Sequence, residues 1–243
     1  MKKNTFNYSK AAADPNARGG QRRYLDSVPP QDFLPPHGDI DLATVSLTGL
    51  ADFYGSDKGS IKHRYTAVYE KLIHRLSVPN SRTSVSLVVT EIGVACGASL
   101  RMWADYLPSS EIVGYDIRPD CAKLCRDKEN IKIVIADLTK EAPAQNSHLI
   151  VDDGSHISED IVAAFVNCWP TLAPGGYYVI EDMSCTYNEK YSRQFEALFG
   201  KKVENNRSSV LYLMDVLMRS VDSREDVAEF RYYPQLLVIR KTL

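Results

Sequence analysis

Ser147-His148-Leu149-Ile150-Val151-Asp152-Asp153-Gly154-Ser155-His156 and Tyr177-Tyr178-Val179-Ile180-Glu181-Asp182 are two short apolar runs that each end in acid. Runs of this length and composition predict buried β-strands. Between them, Glu159 to Leu172 is amphipathic and has the right length for one crossover helix. In a parallel α/β sheet both acidic clusters then lie at the carboxyl ends of neighbouring strands, where such sheets bind their ligands. Carboxylates and an imidazole gathered in one crevice repel each other unless a cation sits among them. The expectation is a metal-assisted active site.

Upstream, strands and helices alternate. The pattern predicts strands over Val85 to Val94, Ile112 to Ile117 and Ile131 to Ala136, and helices over Ala98 to Tyr106 and Pro119 to Lys128. Such alternation means a doubly wound sheet with helices on both faces. Downstream, helices are expected near Tyr187–Phe199 and Ser209–Val221. They are followed by strands Val227–Tyr233 and Gln235–Lys241, with only Pro234 between them. That gap is too short for a parallel crossover, so the last two strands form an antiparallel hairpin. The sum is a mostly parallel seven-stranded sheet closed by a C-terminal hairpin.

Before this domain (85–243) the chain divides in two. Residues 1–40 are interrupted by Gly19-Gly20, Pro29-Pro30 and Pro35-Pro36 and read as an arm, either a passive tail or a lid or subunit-exchange segment. Residues 41–84 read as a helical segment on the substrate side, broken at Gly55-Ser56-Asp57-Lys58-Gly59. Tyr65, Val68, Tyr69, Leu72 and Leu76 there recur at helical spacing. The net charge of -2 and the absence of Lys/Arg blocks give no footprint for nucleic acid. No apolar run approaches the roughly 18 residues that span a bilayer. Polar residues follow Met1-Lys2-Lys3-Asn4, which argues against a signal peptide, and five scattered cysteines fit a reduced cytoplasm.

Glu91-Ile92-Gly93-Val94-Ala95-Cys96-Gly97-Ala98-Ser99 follows the first strand and opens a helix. Gly93 and Gly97 allow a tight turn, and the helix N-terminus offers free N–H groups to a ligand. The spacing lacks the third glycine of dinucleotide binders, so a dehydrogenase is disfavoured. Asp116 ends the second strand 23 residues after Gly93, near the offset of an acid that grips ribose hydroxyls. Asp137 ends the third strand. A doubly wound sheet closed by an antiparallel hairpin resembles the class I methyltransferase fold. In that fold a residue at the position of Asp137 commonly contacts an adenine amino group. S-adenosylmethionine suits a loop with no pyrophosphate to hold, with Glu91 as a partner for its ammonium.

Together, Tyr54-Gly55-Ser56-Asp57-Lys58, Glu91-Ile92-Gly93-Val94, Ser99-Leu100-Arg101-Met102-Trp103, Asp152-Asp153-Gly154-Ser155-His156 and Ile180-Glu181-Asp182 resemble the metal-dependent sugar O-methyltransferases of macrolide and related antibiotic pathways. The resemblance covers about residues 48 to 243 and implies S-adenosylmethionine and Mg²⁺ as cofactors. It implies Asp153, Glu181 and Asp182 as metal ligands and His156 as general base. The expected cofactor crevice comprises Lys58, Glu91, Gly93, Gly97, Ser99, Asp116, Asp137 and Asp153, with Tyr187 near the acceptor. Lys58 has two readings, a turn cap or a partner for a cofactor or substrate anion. Asp152 reads as a loop-capping carboxylate, and His63 and His74 as helix-surface residues. The acceptor is expected to be a small sugar-bearing molecule and the enzyme a homo-oligomer. A catechol-like acceptor, or a non-catalytic assembly role for the fold, remains open at this point.

Overall fold

The computed structural model describes residues 44–77, 86–188 and 206–243. The arm over 1–40 and most of the helix expected at Tyr187–Phe199 lie outside them. Seven strands form one sheet: β1 Val88–Ile92, β2 Glu111–Asp116, β3 Ile131–Ile135, β4 Ser147–Asp152, β5 Leu172–Ile180, β6 Val227–Tyr233 and β7 Leu236–Lys241. Their spatial order is β3-β2-β1-β4-β5-β7-β6. The first five run parallel, and β7 inserts antiparallel between β5 and β6. This is the class I methyltransferase arrangement expected from the sequence. The hairpin closes with Tyr233 opposite Leu236, and Gln235 in its two-residue turn takes a left-handed φ of 63°.

Side chains alternate across the sheet with period two, and each face has its own core. Val89, Leu149, Val151, Tyr177 and Val179 pack on one side with helices α1 Leu47–Tyr54, α2 Thr66–Ser77 and α3 Ala98–Tyr106. Ile150, Tyr178 and Ile180 pack on the other with α4 Ser158–Cys168 and α5 Asn206–Ser223. Helix α1 starts where Ser46 Oγ accepts from the Gly49 N–H at 3.1 Å and stops at Gly55, whose φ of 71° suits a residue without Cβ. The expected packing face of α2 is present: Tyr65, Tyr69 and Leu72 are buried.

One expected element is much shorter than its periodicity suggests. Over Pro119–Lys128 only a 3-10 turn, Pro119–Lys123, forms, and Cys125 has a left-handed φ of 56°. Both cysteines turn inward instead. Cys121 Sγ donates to the Ala95 carbonyl at 3.8 Å and Cys125 Sγ to that of Gly97 at 3.5 Å. Burial pushes their thiols up to about 12 and about 11, so they remain protonated donors that brace the glycine loop.

Leu100 is fully buried where α3 meets the sheet. Replacing it with alanine should cost about 2–5 kcal/mol of unfolding free energy in urea, through lost transfer energy and the cavity left behind. A change below about 1 kcal/mol would mean that α3 is not packed as described.

Candidate active site

The carboxyl ends of β1, β2, β4 and β5 open into one cavity of about 680 Å³. At one end it is lined by Asp116, Ile117, Asp137 and Leu138, and along its floor by Gly93 to Cys96 and Ser99. At the other end stand Asp153, His156, Asp182 and His63. A volume of this order suits a small-molecule ligand.

The two glycines of the β1 loop are fixed by contacts within the chain. Gly93 has a φ of 91°, and a Cβ there would lie 2.1 Å from the Asp153 carbonyl oxygen. The nucleotide-side loop and the acidic loop after β4 therefore touch through backbone. Gly97 has a φ of 81°, and a Cβ would lie 2.6 Å from Cys125 Sγ.

Asp116 reaches the cavity, but its carboxylate is already held. Its Oδ2 accepts from the Val94 N–H at 3.0 Å and Arg118 Nη2 at 2.9 Å, and its Oδ1 from Arg118 N and Nε at 2.9 and 3.0 Å. Burial raises its pKa, yet these donors outweigh burial and hold it below the usual carboxylate value. Asp137 also lines the cavity, with Oδ1 on Thr139 and Oδ2 2.8 Å from Lys140.

Glu91 departs from expectation. It shares the parity of Val89 on β1, so it points into the core beneath α3 and does not line the cavity. Ser99 and Trp103 donate to its two oxygens, Trp103 at 2.8 Å. Tyr187 is also displaced: it is 57% exposed on the surface, next to Tyr232, and outside the cavity.

Around the acid pair, the helical segment provides the donors. Tyr69 donates to Glu181 Oε1, and Tyr65 to Asp182 Oδ1 at 2.6 Å. Lys58 Nζ lies 2.5 Å from Asp153 Oδ2, 2.7 Å from Glu181 Oε2 and 3.9 Å from Glu91 Oε1, with the side chain 1% exposed. Its ammonium thus meets three acids while the residue also lines the cavity. Burial alone would strip its proton, but the three acids hold its pKa well above the ordinary lysine value. One ammonium cannot neutralise three carboxylates, and burial keeps Glu91, Asp153 and Glu181 above the usual carboxylate value.

The remaining oxygens converge on an imidazole. His156 Nε2 lies 3.6 Å from Asp153 Oδ1 and 3.8 Å from Asp182 Oδ2, and ligand atoms of the three residues lie within 4.8 Å of one another. Hard oxygens in an acid-rich pocket short of positive charge fit a divalent cation such as Mg²⁺. Of the three expected ligands, Asp153 and Asp182 face this group; Glu181 turns to Lys58 and Tyr69. His156 and Asp182 both hold left-handed backbones, with φ of 56° and 51°. That geometry costs on the order of 1 kcal/mol or more and is concentrated at functional sites. Asp152 is the loop cap expected of it, accepting from the Gly154 N–H at 3.3 Å and Tyr178 at 3.1 Å.

A second histidine belongs here. His63, expected on a helix surface, sits in the loop before α2 and lines the cavity. It stacks on Tyr65 with ring centres 5.0 Å apart, and its Nδ1 lies 3.7 Å from Asp182 Oδ1. The turn residues from Gly55 to Gly59 were the available signal, because they stop α1 and carry the chain back across the acids.

Residues 90–183 match the family model described as a methyltransferase domain. The resemblance expected from the motifs is borne out among particular relatives. The chain is 36% identical over 182 residues to the 8-demethyl-8-alpha-L-rhamnosyl tetracenomycin-C 2'-O-methyltransferase of Streptomyces olivaceus, covering 69% of this chain and 43% of that protein. It is 32% identical over 155 residues to the mycinamicin VI 2''-O-methyltransferase of Micromonospora griseorubida, covering 58% and 37%. The structure resembles that of the MycE methyltransferase of the mycinamycin pathway in complex with Mg and SAH. That match has a TM-score of 0.64 and 25% identity, over 82% of this chain and 55% of that one. The chain spans less than half the length of the curated relatives named here.

The Asp116–Arg118 pair gives a pH signature. A carboxyl whose folded pKa is depressed adds stability that is complete above its unfolded value, about 3.9, and lost as pH falls through the folded value. Arg118→Met removes the main donors to Asp116 and should move acid unfolding, followed by circular dichroism, to higher pH. An unchanged or lower midpoint would contradict the pairing.

Proposed function

We propose that this chain carries the catalytic domain of an S-adenosylmethionine- and Mg²⁺-dependent O-methyltransferase that methylates a sugar hydroxyl of a small natural product or nucleotide sugar. The observation that carries this reading is the convergence of Asp153, His156 and Asp182 at the end of the same cavity that the Gly93 loop, Asp116 and Asp137 line. The sugar is supported by the relatives, whose names specify a rhamnosyl tetracenomycin and mycinamicin VI.

Asp153 and Asp182, beside His156, would hold the cation, with Glu181 behind them as the third expected acid. When bound, the ion supplies a Lewis acid that lowers the pKa of a nearby hydroxyl. The chain's own residues then divide the work. Asp137 presents acceptors for adenine donors, Asp116 meets the ribose hydroxyls by exchanging the Arg118 guanidinium for them, and the Gly93–Gly97 backbone shapes the floor. His156 Nε2 receives the acceptor's hydroxyl proton, and Asp153 and Asp182 stabilise the imidazolium that results. Because the sulfur leaves as a neutral sulfide, no acid is required on the leaving side and one base suffices. His63 and Lys62 border the acceptor end.

The same reading extends to the whole protein. It acts in the reduced cytoplasm, as its free cysteines suggest. It assembles as a homo-oligomer, and residues 1–40 shape the acceptor side or a subunit contact.

His156→Ala should lower kcat on a rhamnosylated polyketide acceptor by roughly 10² to 10⁴, the range for loss of a general base. Affinity for S-adenosylmethionine, measured by calorimetry, should be kept. EDTA should abolish turnover and Mg²⁺ restore it. Full activity in EDTA, or a His156→Ala enzyme within about threefold of wild type, would count against the mechanism.

A further inference from the structure

The loop that carries Lys58 is built to drive one charge into the interior. It leaves α1 through left-handed Gly55. At Gly59 it lies so close to α1 that a Cβ would be 2.1 Å from Asp52 Oδ1 and 3.2 Å from Ala51 Cβ. Asp52 accepts from Ser60 N and Oγ at 2.8 and 2.6 Å, on one side of the turn. On the other, the Asp57 and Lys58 carbonyls accept from His63 and Thr66 N–H at 3.0 and 3.2 Å. A loop closed on both sides leaves the Lys58 side chain one course, inward, to an ammonium shared by Asp153, Glu181 and Glu91.

Asp153 is the hinge of the arrangement. Its Oδ2 lies on Lys58 and its Oδ1 faces His156 and Asp182, where the donor set fits a divalent ion. Two cations that share a carboxylate stand a few ångströms apart, and with Lys58 only 1% exposed their repulsion is poorly screened.

We propose that Lys58 is a built-in counter-cation of the metal centre, negatively coupled to the divalent ion. It neutralises the inner end of the acid cluster while the ion is absent, keeping the site assembled, and it weakens the ion's hold when present. The proposal rests on the preceding reading that the cluster takes a divalent cation.

Mn²⁺ titration followed by electron paramagnetic resonance tests it on wild type and Lys58→Met, alongside thermal melts in EDTA and in excess Mn²⁺. Lys58→Met should bind Mn²⁺ on the order of tenfold or more tightly, because a repelling charge is gone. Its melting temperature should fall in EDTA and recover with Mn²⁺ by a larger shift than in wild type. A lysine with only a packing role would give the fall without the larger recovery.

Glu91→Gln and the double variant Glu91→Gln/Lys58→Met repeat the comparison with one of the three acids neutralised, which lessens the charge left unpaired when the ammonium is removed. The double variant should bind Mn²⁺ more tightly than Glu91→Gln alone. Equal or weaker Mn²⁺ binding in the lysine-free member of this pair overturns the proposal. Absence of Mn²⁺ binding from every protein, wild type included, removes the metal reading together with it.

Discussion

Three carboxylates gathered around one buried ammonium set the terms for the rest of this structure. Glu91, Asp153 and Glu181 come from three different strand ends, and among the described residues Lys58 supplies the ammonium that all three face. Such a group is tolerated only if its lone pairs are occupied and a further positive charge is within reach. Tyr69, Ser99 and Trp103 occupy oxygens on the inner side. On the outer side, Asp153 and Asp182 turn their remaining oxygens toward His156 and the cavity.

That requirement joins parts of the chain that look separable. The helical segment before the sheet supplies Lys58, Tyr65 and Tyr69, all of which donate to acids at the ends of β4 and β5. The segment is thus a working wall of the site as well as a cap on it. Gly93 has an equivalent role between the two halves of the cavity: without Cβ, it lets the acidic loop rest its backbone on the nucleotide-side loop.

The sheet was legible because its signals are local and redundant. Apolar runs of strand length, acids at their ends and a gap of Pro234 alone between the last two runs force the parallel sheet and its antiparallel closure. His156, Asp153 and Asp182 could be grouped because consecutive parallel strands deliver their ends to one edge. What was not legible depended on contacts distant in sequence. Lys58 lines the cavity as one of its two readings allowed, but its partner Asp153 lies 95 residues on in the sequence, and no local signal pairs them. His63 had helical neighbours but sits in the loop that crosses the acids. Tyr65 and Tyr69 could be assigned a buried face by spacing, though not the acids their hydroxyls would meet. Glu91 is the instructive case: its parity with Val89 on β1 already pointed it away from the cavity. Over Pro119–Lys128 the helical periodicity misled, because Cys121 and Cys125 satisfy the glycine loop's carbonyls and not a helix face.

On the proposed function, the cation group and the glycine-loop crevice form one reaction centre. Nuclear magnetic resonance of S-adenosylmethionine labelled with ¹³C on its reactive methyl measures this directly. With the cofactor saturating, Mn²⁺ added to the wild-type enzyme should strongly broaden the methyl resonance, and Asp182→Asn should remove that effect while leaving the cofactor bound. A methyl signal that stays sharp with both cofactor and Mn²⁺ demonstrably bound would place the two in separate sites and contradict the account.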